Sequence, residues 1–111
     1  MTFQLTYSTA AVLHALGSGY RYGFDIINVT GLPSGTVYPI LRRLHRAGFV
    51  TSAWEDETTA HQRQRPQRKY YQLTPAGSDA RATAVKRFPG LVHAVAPARA
   101  ADSTEVAGEM K

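Results

Sequence analysis

With 111 residues, 43% of them hydrophobic, the chain has the length for one domain with a modest core. Cysteine is absent, which excludes disulfides, thiolate catalysis and cysteine-ligated zinc, and no apolar run approaches the length of a bilayer span or a secretory leader, so a cytoplasmic protein without membrane contact is expected. The formal charge of +5 is unevenly placed: residues 1–90 hold eleven Lys/Arg against five acids, a net of +6, and such clustering points to an anionic partner of the nucleic-acid kind.

Residues 1–7 alternate Phe3, Leu5 and Tyr7 with polar neighbours, too short a pattern to assign. A first helix is predicted from a cap at Ser8 or Thr9, with Val12, Leu13 and Leu16 turned inward and Gly17 as its stop. A second, from about Tyr22 to Val29, buries Phe24, Ile26 or Ile27 and ends at Gly31, so that Thr30, Gly31, Leu32 and Pro33 turn into a third. In that third helix, capped by Ser34, Val37, Ile40, Leu41 and Leu44 recur at the i, i+3, i+4, i+7 spacing of a core-facing stripe. The opposite face carries Gly35, Pro39, Arg42 and Arg46, flanked by Tyr38 and Arg43. Pro39 removes one backbone hydrogen bond, a defect of up to about 3 kcal/mol in a helix interior and less near the first turn. Ser34, Gly35, Thr36 and Tyr38 supply N–H groups and hydroxyls where a phosphate can sit. Two helices joined by a tight glycine-containing turn, the second exposing arginines, form the helix-turn-helix pattern.

Beyond Gly48, Phe49 to Trp54 and Arg68 to Leu73 read as two strands. Between them Glu55 to Gln67 is a polar hairpin tip with no apolar anchor, expected to be mobile, with Glu55, Asp56 and Glu57 solvated. Trp54, the only tryptophan, is expected to pack beneath the hairpin. Arg63, Arg65, Arg68 and Lys69 make the second strand's approach strongly basic, the pattern of a DNA-binding wing; a solvated loop without a partner is the plainer alternative. Thr74 and Pro75 then read as a cap and first position of a helix reaching Phe88, with Ala80, Ala84, Val85 and Phe88 as its apolar side. Pro89 and Gly90 interrupt it, Leu91 to Val95 forms a second short apolar segment, and residues 98–111 read as a disordered tail.

Three stretches, YGFDII (Tyr22 to Ile27), SGTVYPILRRLHRAGFV (Ser34 to Val50) and RKYYQLTPAG (Arg68 to Gly77), resemble the PadR family of bacterial transcriptional regulators over roughly residues 8–77. The resemblance implies a mainly α winged helix-turn-helix with three helices, a small two-stranded β-hairpin and a C-terminal dimerisation helix. It further implies a homodimer that binds a palindromic operator in double-stranded DNA and usually represses. On the matched positions the family's DNA contacts would fall on Thr36, Tyr38, Pro39, Arg42 and Arg43 and on the basic wing ending at Arg68 and Lys69.

On the residues themselves, Arg42 and Tyr38 are assigned to base edges or the groove, Ser34, Thr36, Arg43 and Arg46 to phosphates, and Arg63, Arg65, Arg68 and Lys69 to the wing. Residues 1–74 form the expected DNA-binding domain and 75–97 the dimerisation region, through Ala84, Val85, Phe88, Leu91, Val92 and Val95. Pro89 breaks the long helix that family members carry there. His14, His45, His61 and His93 lack ligand spacing, and no phosphate loop or nucleophile motif is present, so neither a metal, a cofactor nor an enzyme is expected. Multidrug-sensing relatives stack flat ligands between tryptophans of the dimerisation helix; Trp54 lies on a strand, so that site does not carry over and no effector is assigned. The rival reading is a winged-helix protein-interaction module that uses Leu91 to Val95.

Overall fold

The computed structural model describes residues 4–98. Its first helix, α1 (Tyr7–Gly17), starts earlier than the expected cap at Ser8 or Thr9: Thr6 is the cap, its hydroxyl oxygen accepting the Thr9 N–H at 3.2 Å, and Thr9 itself is buried. Ala10 through Leu16 are all buried because α1 runs through the middle of the fold, packed against three other helices and the hairpin. It ends in a left-handed Gly19 (φ 106°), with the Gly19 and Tyr20 N–H groups returning to the Leu16 and Ala15 carbonyls.

The next helix, α2 (Gly23–Thr30), closes on Gly31 at φ 76°. Ile26 is fully buried, but Phe24 is 65% exposed, contrary to the expected burial. An eight-residue helix offers the core one narrow stripe, and Phe24, two positions before Ile26, lies about 200° round from it.

Helix α3 (Ser34–Arg46) buries Val37, Ile40, Leu41 and Leu44, as their spacing predicts. Its cap is Pro33 rather than Ser34: the Pro33 carbonyl accepts the Thr36 and Val37 N–H groups at 2.9 and 3.0 Å, and Ser34 is the first helical residue. The preceding turn is already closed by Thr30, whose hydroxyl accepts the Leu32 N–H at 3.2 Å. At the other end Gly48 (φ 82°) and Phe49 donate their N–H groups to the His45 and Leu44 carbonyls, which reverses the chain into the hairpin.

Strands β1 (Val50–Trp54) and β2 (Lys69–Leu73) pair antiparallel, with Val50 opposite Leu73, Ser52 opposite Tyr71 and Trp54 opposite Lys69. The Tyr71 N–H also reaches the Arg21 carbonyl at 2.8 Å, which fastens the hairpin to the segment before α2. Between the strands the expected unanchored loop is instead a short helix, α4 (Glu57–Gln62), capped by Asp56 and seated by a buried Ala60.

Thr74 caps α5 (Pro75–Arg87) with Pro75 at the first position, as expected. Its hydroxyl accepts the Gly77 N–H at 3.0 Å and donates to the Gly48 carbonyl at 2.7 Å, so one side chain joins the end of α3 to the start of α5. After Pro89 the chain turns through α6 (Leu91–Ala94), which puts Leu91 and Val95 into the core. Beyond it the Tyr20 hydroxyl donates to the Ala96 carbonyl at 2.7 Å and the Ala98 N–H to the Ser18 carbonyl at 2.8 Å, tying the end of the described chain to the turn after α1. Of the residues assigned to dimerisation, Ala84, Leu91 and Val95 are therefore held inside the protomer's own core; Val92 is exposed, and Val85 and Phe88 are half-buried. Phe3 and the expected tail from residue 99 onward lie outside the described residues. Among the described residues no helix is long and apolar enough to cross a membrane.

Candidate nucleic-acid interface

The buried stripe of α3 forces its other side chains outward, and Arg42, Arg43, His45 and Arg46 are all exposed. Between this face and the hairpin lies a cleft of about 220 Å³, lined by Leu41, Arg42, His45, Arg46, Ser52, Lys69 and Tyr71. Three permanent or near-permanent cations therefore converge from two elements over an apolar floor, and the lining holds no Asp or Glu to neutralise them. Such a cleft attracts a polyanion.

At the start of α3, Ser34 and Gly35 are exposed and Thr36 is half-buried. A Cβ added at Gly35 would meet nothing within 4 Å, so the backbone there is open to close approach. Tyr38 is positioned from the neighbouring helix: its ring lies over Gly23, where a Cβ would come within 2.7 Å of the phenol oxygen. Gly23 is the notch that receives Tyr38. Burial, above all, raises the Tyr71 phenol above its ordinary range, with Tyr38 adding to the effect and Arg42 opposing it. Tyr71 thus remains a neutral hydroxyl in the cleft wall, beside the two residues that the sequence assigns to base edges.

The four wing cations are not brought together. Arg65 grips Glu55 with both terminal guanidinium nitrogens, Nη1 to Oε1 and Nη2 to Oε2, the latter at 2.8 Å. Glu55 also accepts the Arg68 N–H at 3.3 Å, and its carbonyl accepts the Gln67 amide at 2.6 Å. The hydrogen bond from Arg65 is the first cause that holds the Glu55 carboxyl below its ordinary range. The expectation that Glu55 is solvated is therefore corrected: it is 8% exposed, and a carboxylate is tolerated there because a bidentate partner and a backbone N–H satisfy it. Arg68 is likewise turned inward, its guanidinium carbon 3.9 Å from the centre of the Tyr22 ring and its Nε buried. Arg65 and Arg68 hold the hairpin together; Arg63 sits half-buried at the end of α4, and Lys69 alone among the four lines the cleft.

Trp54 does not pack beneath the hairpin but is 61% exposed. Strand residues alternate, so Trp54 shares the face of Ser52, and that face looks into the cleft. His45, Ser52 and Tyr71 are lining residues that sequence reasoning missed. His45 could have been found, since Arg42, His45 and Arg46 recur at i, i+3 and i+4. Ser52 and Tyr71 become visible only once the hairpin register is known.

A model of the PadR-like transcriptional regulator family matches residues 12–83. A PadR family transcription regulator from Clostridium difficile is 24% identical with a TM-score of 0.64, over 76% of this chain and 88% of that one. A PadR-like transcription factor from Bacteroides fragilis is 23% identical with a TM-score of 0.60, over 93% and 88%. A Bordetella bronchiseptica regulator whose DNA binding is regulated by 6-hydroxynicotinic acid is 17% identical with a TM-score of 0.63, over 96% and 73%. At these identities the likeness to solved structures is one of fold. No curated protein matches the chain.

Proposed function

The chain belongs to the PadR-like family of transcriptional regulators, and from that membership we propose that it acts as a dimeric repressor of a palindromic operator in double-stranded DNA. The cleft between α3 and the hairpin carries this reading: cations from two elements flank an open helix face, with no acid in the lining. In the proposed complex α3 enters the major groove, where Arg42 can present two donors to a guanine edge and Tyr38 is braced for the same groove by α2. Ser34, Thr36, Arg43 and Arg46 take phosphates, with Pro39 shaping the backbone between them, and Lys69 with Arg63 supplies the wing. Arg65 and Arg68 act one step removed, by keeping the hairpin in shape.

The proposed division assigns residues 1–74 to DNA and 75–97 to dimerisation in the cytoplasm. Support for the latter comes from Val92, which is 53% exposed, and from Phe88, whose ring meets the exposed Tyr7 edge-on at 5.6 Å. Two such patches related by a two-fold axis would cover one another. The rival protein-interaction reading is weakened, because Leu91 and Val95 are spent in the core and Val92 is the one large apolar side chain of that segment left exposed. Selection of bound sequences from random duplexes tests the proposal. A two-fold symmetric motif, with half-sites one helical turn apart or a multiple of it, is the expected result; retention with no enriched motif overturns sequence-specific regulation.

A further inference from the structure

Trp54 is the largest side chain in the protein, and the described fold leaves 61% of it exposed. Exposing an indole of this size to water is unfavourable, and its position is not random. Register places it opposite Lys69, whose ammonium lies 5.7 Å from the centre of the ring. Alternation places it on the face that Ser52 and Tyr71 present to the cationic cleft, at the end of the strand farthest from the core residue Val50. The cleft is thus continued by an aromatic plate with a cation beside it. A polyanion lying in the cleft along Arg42, Arg46 and Lys69 would pass over that plate.

We propose that Trp54 is a DNA-contacting residue: its ring lies against the deoxyribose and base edges flanking the segment read by α3, while Lys69 holds the adjoining phosphate. The inference rests on the DNA-binding reading above and adds a contact to it. The occupant is duplex DNA because the plate is continuous with a cleft that carries positive charge and no acid. Lys69 raises the affinity of that place for an anion, whereas a second copy of this basic chain would bring like charge to it. The contact differs in kind from those of the arginines: it is apolar, releases no counterion and is insensitive to salt.

The chain has one tryptophan, so indole emission, excited to the red of tyrosine absorption, reports on this residue alone. The full chain is titrated with duplexes of a selected and of a scrambled sequence. Occupancy is followed by the anisotropy of a labelled strand, and the indole by its emission and its quenching by acrylamide. On the proposal, emission changes and quenching falls in step with occupancy. Trp54→Ala lowers affinity about tenfold with the salt slope unchanged, while Trp54→Phe retains most of it. Lys69→Ala lowers the slope of log K against log salt by about one. Occupied complexes in which the indole stays as open to acrylamide as in the free protein overturn the proposal while leaving DNA binding intact. Protection that grows with protein concentration in the absence of DNA overturns it too, in favour of a second copy as the occupant. A chain that binds neither duplex overturns the DNA-binding reading itself. The fluorescence arm uses the unaltered chain, so it decides the question even if Trp54→Ala fails to fold.

Discussion

The Arg65 guanidinium closes on the Glu55 carboxylate with both of its terminal nitrogens, across ten residues of chain that would otherwise form a floppy tip. Arg68 adds a backbone N–H to the same carboxylate and a cationic face to Tyr22. A stretch rich in arginine is thereby turned partly inward, and its shape depends on one acid.

That dependence has a pH signature. The Glu55 carboxyl is held below its ordinary value of about 4.5, first by the hydrogen bond from Arg65. Since the folded form prefers the ionised group, its contribution is present above the unfolded value and is lost as pH falls from about 4.5 through the lower folded value. Amide protection across residues 59–68, taken relative to the intrinsic exchange rate at each pH, should fall in that acid window while the α1 core stays protected. Glu55→Gln should show fast exchange at neutral pH already; equal protection of the tip in both proteins would refute the role given to the pair.

His14 gives a second acid sensitivity in a different place. It is 5% exposed with an unpartnered Nδ1, and burial, followed by the nearby Arg81, holds its imidazole below its ordinary value of about 6.5. The unfolded chain therefore takes up a proton that the fold resists, so stability declines as pH drops below about 6.5. Urea unfolding at neutral and mildly acidic pH should show this decline. His14→Leu, which removes both the proton site and the unmet polar atom, should flatten it over this range. An unchanged slope in the variant would show that some other group carries it.

Gly77 lies so close to the Phe49 backbone that an added Cβ would collide with the carbonyl oxygen and come within 2.9 Å of the carbonyl carbon. Gly77→Ala should cost about 1–3 kcal/mol or more, as overpacking against rigid backbone does. The neighbouring exposed Ser78→Ala should stay within about 0.5 kcal/mol. Denaturant midpoints for the two variants check this, and similar midpoints would mean that α5 can slide away.

Arg42 and Arg46 should fail differently on DNA, because one is proposed to read a base edge and the other to take a phosphate. Arg42→Ala should cost on the order of 1–3 kcal/mol at a cognate site and flatten discrimination against altered sites. Arg46→Ala should weaken all duplexes about equally and lower the salt slope by about one. Equal losses on cognate and scrambled duplexes for Arg42→Ala would remove its base-reading role.

How far the sequence could be read follows from how local each signal is. The α3 stripe, the Thr74–Pro75 cap and the paired strands are set by local signals, the stripe by its period and the cap and strands by residue type. The Thr74 cap even carries its tertiary bond to Gly48 unannounced, since a cap reads the same with or without it. Glu55 was misread because its partner lies ten positions away and only the fold of α4 brings the two together. Trp54 was misread because alternation tells which face a strand residue shares but not where the body beneath that face ends. Pro33 takes the cap of α3 from Ser34 because its carbonyl already accepts the Thr36 and Val37 N–H groups, with Ser34 the first helical residue. For the candidate site, the outward placement of the α3 cations was legible and the inward turn of Arg65 and Arg68 was not: a count of arginines cannot tell a cation facing outward from one bonded within.

The notch at Gly23 bears on how the specificity of such a protein could be redesigned. Because Tyr38 rests in space that a single missing side chain leaves open, even an alanine at position 23 would displace the phenol and tilt the surface that α3 offers. A mutant library confined to outward-facing positions would never sample that adjustment. One that also varies position 23 would change the pose of α3 without altering any atom on its outer face.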